Sequence, residues 1–448
     1  MNIVDIPLDN LNEIFELSDF ITKIRFRQIC KFLYNNLHII DFYSIEEKYL
    51  QKLKDNILKK HKFIKYLNVM NNPNIKDINW MINLKELNAG RNCGIDQSGI
   101  KELDLIKLDV SYNNKIKDVS FMISLKELYA GRNSRIDQTG IKGLDLIKFD
   151  IYDNPKIKDV NFMKSLKELV AGINCGIDQN GIIGLNLIKL DVRHNDKIKD
   201  VSFMINLKEL NAGINCGIDQ SGIKELDLIK LDVCNNSKIK DVCWMKNLKE
   251  LDANEKCGID QSGIEGLNLI KLDVWDNKKI TDVSWMTNLK ELNAGGNSGI
   301  DQKGINGLNL IKLNVCNNSK IKDVSWMKNL KELDASEKCG IDQKGIQGLD
   351  LIKFDIYDNP KIKDVSWMKN LKELDASEKC GIDQSGIEGL NLIKLNVCDN
   401  SKIKDVSFMN NLKKLVASGI CGIDQNGIKG LNLIELNIWN NPKIKKNE

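Results

Sequence analysis

Apolar and polar residues alternate in a short pattern that recurs along most of the chain. The pattern is L-x-x-L-x-V/A-x-x-N-x-x-I, and Leu105, Leu108, Val110, Asn113 and Ile116 form one example. We number the positions from the first leucine, so that the asparagine is at position 9. Apolar residues at positions 4 and 6 alternate with polar residues at positions 3, 5 and 7. This period of two predicts a short β-strand, and the asparagine that follows predicts a turn.

The pattern occurs in two alternating units of 20 and 21 residues, so that a pair repeats every 41 residues from residue 64 onward. The 20-residue unit continues with K-D-V-S-W/F-M. The 21-residue unit continues with I-D-Q-x-G-I-x-x-L, which predicts a short helical turn with an aspartate near its start. Ten units of the first type and nine of the second predict about nineteen short parallel strands. Such repetition is typical of a solenoid, because one pair cannot bury enough apolar surface to fold alone.

These units resemble the leucine-rich-repeat family over residues 64–448. The I-D-x-x-G-I-x-x-L ending is similar to the repeats of F-box leucine-rich-repeat proteins. The resemblance implies an α/β solenoid in the form of a horseshoe. In that fold a single curved parallel sheet forms the concave face, and short helical or irregular segments form the convex face.

Several positions predict structure rather than function. Position 9 of the 20-residue unit is asparagine in all ten units, which predicts a ladder of hydrogen-bonded side chains. Position 3 alternates between lysine and glutamate, which predicts a row of opposite charges across the strands. We interpret Asp96 and Gln97, which recur on the turns, as architectural. An aromatic column that includes Trp80 and Phe121 predicts core packing on the convex side.

Position 7 of the 20-residue unit, which we term the variable column, differs between most units. Its residues are Met70, Ser111, Tyr152, Arg193, Cys234, Trp275, Cys316, Tyr357, Cys398 and Trp439. Tyrosine, tryptophan and arginine are enriched among residues that dominate the binding energy of interfaces. We therefore predict that the concave face binds an unknown protein partner through Tyr152, Arg193, Trp275, Tyr357 and Trp439. The alternative is drift at an unconstrained position.

The amino-acid composition restricts the class of partner and the cellular location that we expect. Lysine and arginine total 66 against 62 aspartates and glutamates, without a basic block, which argues against a nucleic-acid partner. The N-terminus does not have the pattern of a secretory signal, and no apolar run is long enough for a membrane span. We therefore expect an intracellular protein, cytoplasmic or nuclear, that does not bind membranes.

Seven of the twelve cysteines share one column of the 21-residue unit. They are Cys93, Cys175, Cys216, Cys257, Cys339, Cys380 and Cys421. Within this column the nearest cysteines are two strands apart, about 9.6 Å, whereas the Cα atoms of a disulfide lie within about 7 Å. We predict reduced, half-buried thiols in a reducing compartment.

The sequence does not contain the arrangements that are typical of enzymes. Its three histidines, His38, His61 and His194, are not in a metal-ligand pattern. Phosphate-binding glycine loops and nucleophile motifs are also missing. We predict a protein without catalytic residues, metal or cofactor.

The first 63 residues lie outside the repeat, and two helical patterns occur in their first part. Apolar residues recur at helical spacing in residues 6–15 and again in residues 23–37. Between them, Ser18 and Asp19 predict the start of the second helix.

A third helix is predicted immediately before the repeats. Ser44 and Glu47 have the spacing of a capping box, and Leu50, Leu53 and Ile57 lie on one face of the helix that follows. We expect this helix to connect the N-terminal segment to the first repeat.

The region from residue 6 to about residue 37 resembles an F-box. The residues that match the family pattern are Pro7, Asp9, Leu11, Ile14, Phe15, Ile29 and Cys30. Ser18, Thr22 and Leu33 (or Phe32) depart from it, because the family usually has leucine, aspartate and tryptophan there. The resemblance implies that the helices dock on the Skp-type adaptor of a cullin–RING ubiquitin ligase while the repeats bind a target. Docking would then use Pro7, Leu11, Ile14, Phe15, Ile29 and Cys30.

The predicted organisation has three parts: an all-α F-box-like segment at residues 1–45, a connecting helix at 46–63 and the solenoid at 64–448. The alternative is a plain repeat scaffold whose N-terminal helices only cap the first strand. Exposure of Leu11, Ile14 and Phe15 favours docking, whereas burial against the first repeat favours a cap.

Overall fold

The structure is a computed structural model that describes residues 7–445. These residues form two compact units. The first extends to Asn211 and includes Asn215–Ile223, and the second comprises Ala212–Ile214 together with the chain from Lys224 onward. Both units are built from short parallel strands in chain order.

In the first unit, each strand pairs in parallel with the next strand along the chain, and corresponding leucines lie opposite each other, as Leu87 and Leu108 do. The strands are β1 (Asp41–Phe42), β2 (Tyr66–Asn68), β3 (Glu86–Asn88), β4 (Lys107–Asp109), β5 (Glu127–Tyr129), β6 (Lys148–Asp150), β7 (Glu168–Val170), β8 (Lys189–Asp191) and β9 (Glu209–Asn211). Because consecutive strands are parallel, each connection must cross back to the start of the next strand.

The second unit repeats this arrangement with the same register, as Leu292 opposite Leu313 shows. Its strands are β10 (Lys230–Asp232), β11 (Glu250–Asp252), β12 (Lys271–Asp273), β13 (Glu291–Asn293), β14 (Lys312–Asn314), β15 (Glu332–Asp334), β16 (Lys353–Asp355), β17 (Glu373–Asp375), β18 (Lys394–Asn396), β19 (Lys414–Val416) and β20 (Glu435–Asn437).

The alternation of apolar and polar positions is confirmed. Leu108 and Val110, at positions 4 and 6, are completely buried, whereas position 3 and position 5 residues such as Lys107 and Asp109 are partly exposed. We term the side of the strands formed by positions 3, 5 and 7 the open face. Strands β2 to β20 coincide with the nineteen predicted units. The predicted fold class, a parallel solenoid of the leucine-rich-repeat type, is therefore confirmed.

The asparagines at position 9 form the predicted hydrogen-bonded ladder. The Nδ2 of Asn113 donates to the carbonyl oxygens of Ala89 at 2.8 Å and Ile95 at 3.3 Å in the preceding 21-residue unit. Its Oδ1 accepts from the amides of Lys115 at 2.8 Å and Ile116 at 3.2 Å. One buried side chain thus forms hydrogen bonds with backbone groups of two turns. These groups need side-chain partners because the turns lack the regular hydrogen bonds of a helix or a sheet.

The predicted helical turns are single 3₁₀ turns on the side opposite the strands. They span Gln97–Ile100, Thr139–Ile141, Asn180–Ile182, Ser221–Ile223, Ser262–Ile264, Lys303–Ile305, Lys344–Ile346, Ser385–Ile387 and Asn426–Ile428. Asp96 accepts from the amide of Ser98 at 2.9 Å, and the Oε1 of Gln97 accepts from the amides of Lys117 and Asp118 at 2.9 and 2.8 Å. Both residues are therefore architectural, as predicted.

The N-terminal residues form five helices rather than three. They are α1 (Leu8–Leu17), α2 (Phe20–Gln28), α3 (Lys31–Asn36), α4 (Glu47–Leu50) and α5 (Asp55–Leu58). The second predicted helix is interrupted at Ile29 and Cys30. The predicted helix start is confirmed, because Asp19 accepts from the amide of Thr22 at 2.9 Å.

The prediction of one capped connecting helix at residues 46–63 is wrong. Helices α4 and α5 are single turns of four residues each. The hydroxyl of Ser44 donates to Asp41 at 2.9 Å instead of capping a helix. Ile57, which was predicted to share a helix face with Leu50 and Leu53, is exposed, and the neighbouring Leu58 is buried instead.

Residues 41–53 occupy the place of a preceding repeat. Strand β1 pairs in parallel with β2, so the sheet begins before residue 64. The Nδ2 of Asn72 donates to the carbonyl oxygens of Leu50 at 2.7 Å and Leu53 at 3.0 Å, as later asparagines do to the preceding turn. This segment therefore covers the first repeat.

Two predictions about side-chain burial need correction. The seven cysteines of the shared column are fully buried rather than half-buried. Conversely, the aromatic column is not core: Phe121 is 37% exposed, and the Nε1 of Trp285 donates to the carbonyl oxygen of Leu267 at 3.1 Å. The cysteine side chains fill the turn, whereas the rings of the aromatic column lie partly exposed at the surface.

Candidate functional site

The six residues predicted to dock on an adaptor are divided between core and surface. Leu11 and Phe15 are buried, and the Phe15 ring lies 6.4 Å from the ring of Phe26 on α2. The other four are on the surface in different degrees: Pro7 is exposed, Ile14 is 51% exposed, Ile29 is 56% exposed and Cys30 is half-buried. The sequence pattern did not separate these two groups, because both have helical spacing.

Other apolar side chains of the helices are also exposed. Leu17, at the end of α1, is 83% exposed, and Leu8, Ile21 and Phe32 are each exposed by more than a third. Sequence analysis missed Leu17 and Ile21 as candidate surface residues, although both fall on the helix faces opposite the buried residues. These exposed side chains are candidates for contact with a partner.

A buried arginine joins α2 to the segment before the first repeat. The Nη1 of Arg27 lies 3.2 Å from the Nδ1 of His61, and its Nη2 donates to the carbonyl oxygen of Tyr34 at 2.9 Å. Burial, with the charge of Arg27 as a second cause, lowers the pKa of His61 to about 4. The ring of Phe42 lies 5.0 Å from that of His61. A neutral histidine is therefore part of the packing between the helices and strand β1.

The open face has the predicted row of opposite charges at position 3. In the first unit, Lys148 pairs with Glu168 at 2.9 Å. In the second unit, Lys230 pairs with Glu250 at 2.9 Å. Because these side chains are partly exposed, each pair contributes at most about 1 kcal/mol to stability. The row of position 3 is by itself close to neutral.

Position 5 forms a second row that sequence analysis missed. In the second unit, aspartates occupy this position in two sets of three consecutive strands, Asp232, Asp252 and Asp273, and Asp334, Asp355 and Asp375. Burial and the neighbouring carboxylates raise the pKa of Asp252 to about 7. Burial likewise raises the pKa of Asp355 to about 6, while the amide of Tyr357 opposes the change. The signal was present in the sequence as aspartate at the same position of consecutive units.

In the first unit, the variable column contributes Tyr152 and Arg193, both half-buried. The ring of Tyr152 lies against Gly172, where an added Cβ would be 2.8 Å from the ring. The guanidinium of Arg193 pairs with Asp191 at 2.7 Å. These two residues lie on the open face as predicted, but part of each side chain already contacts other residues of the chain.

In the second unit, the variable column contains three aromatic residues with different exposure. Trp275 is half-buried, Tyr357 is 39% exposed and Trp439 is 74% exposed. Neighbouring carboxylates, Glu378 first, raise the pKa of Tyr357. Cys316, in the same column, is buried.

A groove of about 360 Å³ lies on the open face of the second unit, over strands β12 to β16. Its lining consists mainly of charged residues of positions 3 and 5, for example Lys312, Glu332 and Asp334. The variable column does not contribute to the lining. The groove is open and bordered by charged side chains, which suits an extended peptide better than a small apolar ligand.

No protein-family model matches the chain, and no curated protein matches it either. Among solved structures, the chain is similar to one in the yeast Rad7 and Elc1 complex, with 15% identity and a TM-score of 0.36, covering 56% of this chain and 80% of that chain. It is also similar to a chain of the TLR13–ssRNA13 complex, with 17% identity and a TM-score of 0.47, covering 84% of this chain and 71% of that chain. Within residues 7–445, the helices lack the length and apolar character that crossing a membrane requires.

Proposed function

We propose that the chain is a non-enzymatic interaction protein that links a target protein to a ubiquitin ligase in the cytoplasm or nucleus. Its N-terminal helices bind a Skp-type adaptor of a cullin–RING ligase, and the open face of the repeats binds the target. The observation that supports docking is the exposure of Ile14 and Ile29 on helices whose core is filled by Leu11, Phe15 and Leu33. These isoleucines do not contribute to that core, which leaves them free for a partner.

The test uses an Ile14→Asp and Ile29→Asp double variant. Burying two unpaired carboxylates in an apolar interface costs several kcal/mol, enough to abolish a micromolar complex of about 8 kcal/mol. Binding to a purified Skp-type adaptor is measured by calorimetry, and the melting temperature should remain close to that of the parent because both residues are exposed.

The matched control is an Ile82→Asp and Ile123→Asp double variant, in which two exposed isoleucines of the repeats change in the same way. It should bind the adaptor as the parent does. Unchanged adaptor binding by the Ile14 and Ile29 variant contradicts the adaptor role.

A second candidate function is a repeat scaffold whose N-terminal residues only cap the sheet. The pairing of β1 with β2 and the hydrogen bonds from Asn72 to Leu50 and Leu53 favour a capping role for residues 41–53. Under this alternative, the parent chain does not bind a Skp-type adaptor, and the Ile14 and Ile29 variant captures the same partners as the parent.

A further inference from the structure

Arginine is unevenly distributed in this chain. Only six of the 66 basic residues are arginine, and the repeats contain four of them, at positions 91, 132, 135 and 193. All four belong to the first unit, whereas the second unit uses lysine throughout. Arginine differs from lysine in its planar fork of donors, which binds carboxylates in a bidentate manner and stacks on aromatic rings. The concentration of arginine therefore marks the strand ends and turns at the border of the open face in the first unit.

Two of these arginines lie in a row with two tyrosines, which we term the arginine–tyrosine surface: Arg91, Tyr112, Arg132 and Tyr152. The residues come from four consecutive turns, which follow strands β3, β4, β5 and β6. The guanidinium carbon of Arg132 lies 5.8 Å from the centroid of the Tyr112 ring and 5.8 Å from that of Tyr152. Rings on both sides restrict the guanidinium before any partner binds.

In the described part of the chain, the arginines of this surface do not form direct ion pairs, although the charge of Arg132 acts on Asp150: burial raises the pKa of that carboxyl, and Arg132 opposes the change. Among residues 7–445, neither Arg91 nor Arg132 forms an ion pair, although Arg193 pairs with Asp191. Arg91, Tyr112 and Arg132 are all exposed.

These three residues also have left-handed backbone conformations, with φ of 54°, 60° and 53°. The same position is left-handed in most other units, where it carries residues as different as Asn235, Ile214 and Glu337. The left-handed turn is thus a general feature of the repeat, and it sets the direction in which Arg91, Tyr112 and Arg132 leave the backbone.

We propose that the arginine–tyrosine surface binds an acidic segment of a partner protein. Arg91 and Arg132 are two strands apart, about 10 Å at the usual strand spacing. The segment therefore presents two carboxylates at about this distance, one to each guanidinium, and an apolar residue between them packs on Tyr112. This inference rests on the part of the proposed function that gives the repeats a binding role, and it is independent of the adaptor role of the helices.

Charge around the surface favours a peptide over a nucleic acid. Asp109 and Asp150 lie on the neighbouring position 5 of the open face, and Asp153 follows Tyr152. A continuous phosphate backbone would approach these carboxylates, whereas a peptide can place its own carboxylates only at the arginines. In the second unit, the place of Arg91 and Arg132 does not carry a positive charge, and three of its six residues are glutamates, Glu255, Glu337 and Glu378, which repel an acidic segment.

The experiment measures fluorescence anisotropy of a short labelled peptide with glutamate at every third position and leucine and serine between. We expect the full chain to bind this peptide, to bind its glutamine counterpart at least tenfold more weakly, and to lose affinity as salt increases. An Arg91→Asn and Arg132→Asn double variant should bind the acidic peptide at least tenfold more weakly. Because asparagine suits left-handed φ, its melting temperature should equal or exceed that of the parent.

The control is a Lys101→Gln and Lys142→Gln double variant. It also loses two exposed positive charges 41 residues apart in the first unit, but at the end of the 3₁₀ turns rather than on the open face. It should bind the peptide as the parent does. Equal weakening in both variants, or unchanged binding in the arginine variant, overturns the inference. Tighter binding of a single-stranded oligouridylate than of the peptide, lost with the arginines, overturns it in favour of a nucleic acid.

Adaptor binding provides an independent readout. The Ile14→Asp and Ile29→Asp variant should bind the acidic peptide as the parent does. Loss of adaptor binding with normal peptide binding leaves the inference intact, and loss of peptide binding with normal adaptor binding contradicts the inference alone.

Discussion

The indole of Trp275 lies directly over the backbone of Gly295, which is at position 7 of the following unit. A Cβ added at Gly295 would be 2.2 Å from the nearest ring atom. Tyr152 and Gly172 have the same relationship in the first unit. A large side chain in the variable column can therefore lie flat because the next unit has glycine at the same position.

This relationship predicts coupling between the two residues. Gly295→Ala should destabilise the protein by about 1–3 kcal/mol, because the methyl group forces the indole out of its place. Adding Trp275→Ala should remove this penalty. A double-mutant cycle with thermal unfolding measures the coupling, and additive effects of the two changes would show that the ring does not occupy this place.

Removing one asparagine of the ladder should have a large effect. Asn113→Ala leaves the carbonyl oxygens of Ala89 and Ile95 without their side-chain donor, and we expect a loss of roughly 3 kcal/mol. Hydrogen exchange should show faster exchange in the turns around residues 89–116 than in distant turns, because solenoid repeats are stabilised mainly by their neighbours. Asn114→Ala, at an exposed position, is the control and should leave exchange unchanged.

Stability should depend on pH through Asp252. Its pKa is about 7 in the folded chain, above the value of about 4 for an unfolded aspartate, so the folded state holds the proton more tightly. Raising the pH from about 4 to 7 therefore lowers the free energy of unfolding. Asp252→Asn should stabilise the protein at pH 8, by on the order of 1–3 kcal/mol, and have little effect at pH 4. Equal effects at both pH values in urea unfolding contradict this assignment.

The cysteine column should be inert to alkylation in the folded protein. Burial raises the pKa of Cys93 to about 11 and that of Cys339 to about 12, and both thiols are inaccessible. Iodoacetamide labelling followed by mass spectrometry should modify the partly exposed Cys30 and leave these two unmodified until denaturant is added. Rapid labelling of Cys93 in native conditions would show that its turn opens easily.

The sequence was sufficient to predict the repeat, its strands and the asparagine ladder, because each depends on contacts that recur every 41 residues. It was not sufficient for the N-terminal helices. By spacing alone, Leu11 and Ile14 can lie on the same helix face. Only packing against α2 determines that Leu11 is buried and Ile14 is exposed. The capping box failed because Asp41, which belongs to no pattern, binds the hydroxyl of Ser44.

The candidate binding surface was predicted only in part. Position 7 drew attention because it varies, and its aromatic residues do lie on the open face. The arginines at position 8 were missed because the turn conformation, which places them beside Tyr112 and Tyr152, cannot be deduced from residue spacing. The half-buried aspartates of position 5 recur visibly in the sequence, but their raised pKa could not be predicted because it depends on burial and on neighbours in adjacent strands.

The asparagine ladder also bears on how this chain can change in length. From Asn113 onward, each asparagine takes its carbonyl partners from the preceding 21-residue unit, so the 41-residue pair is the smallest block that contains both donor and acceptors. Duplication or deletion of a whole pair therefore leaves every asparagine with its carbonyl partners, whereas duplication or deletion of a single unit does not. Residues 322–343 and 363–384 are identical at every position and start 41 residues apart, which fits duplication in steps of one pair.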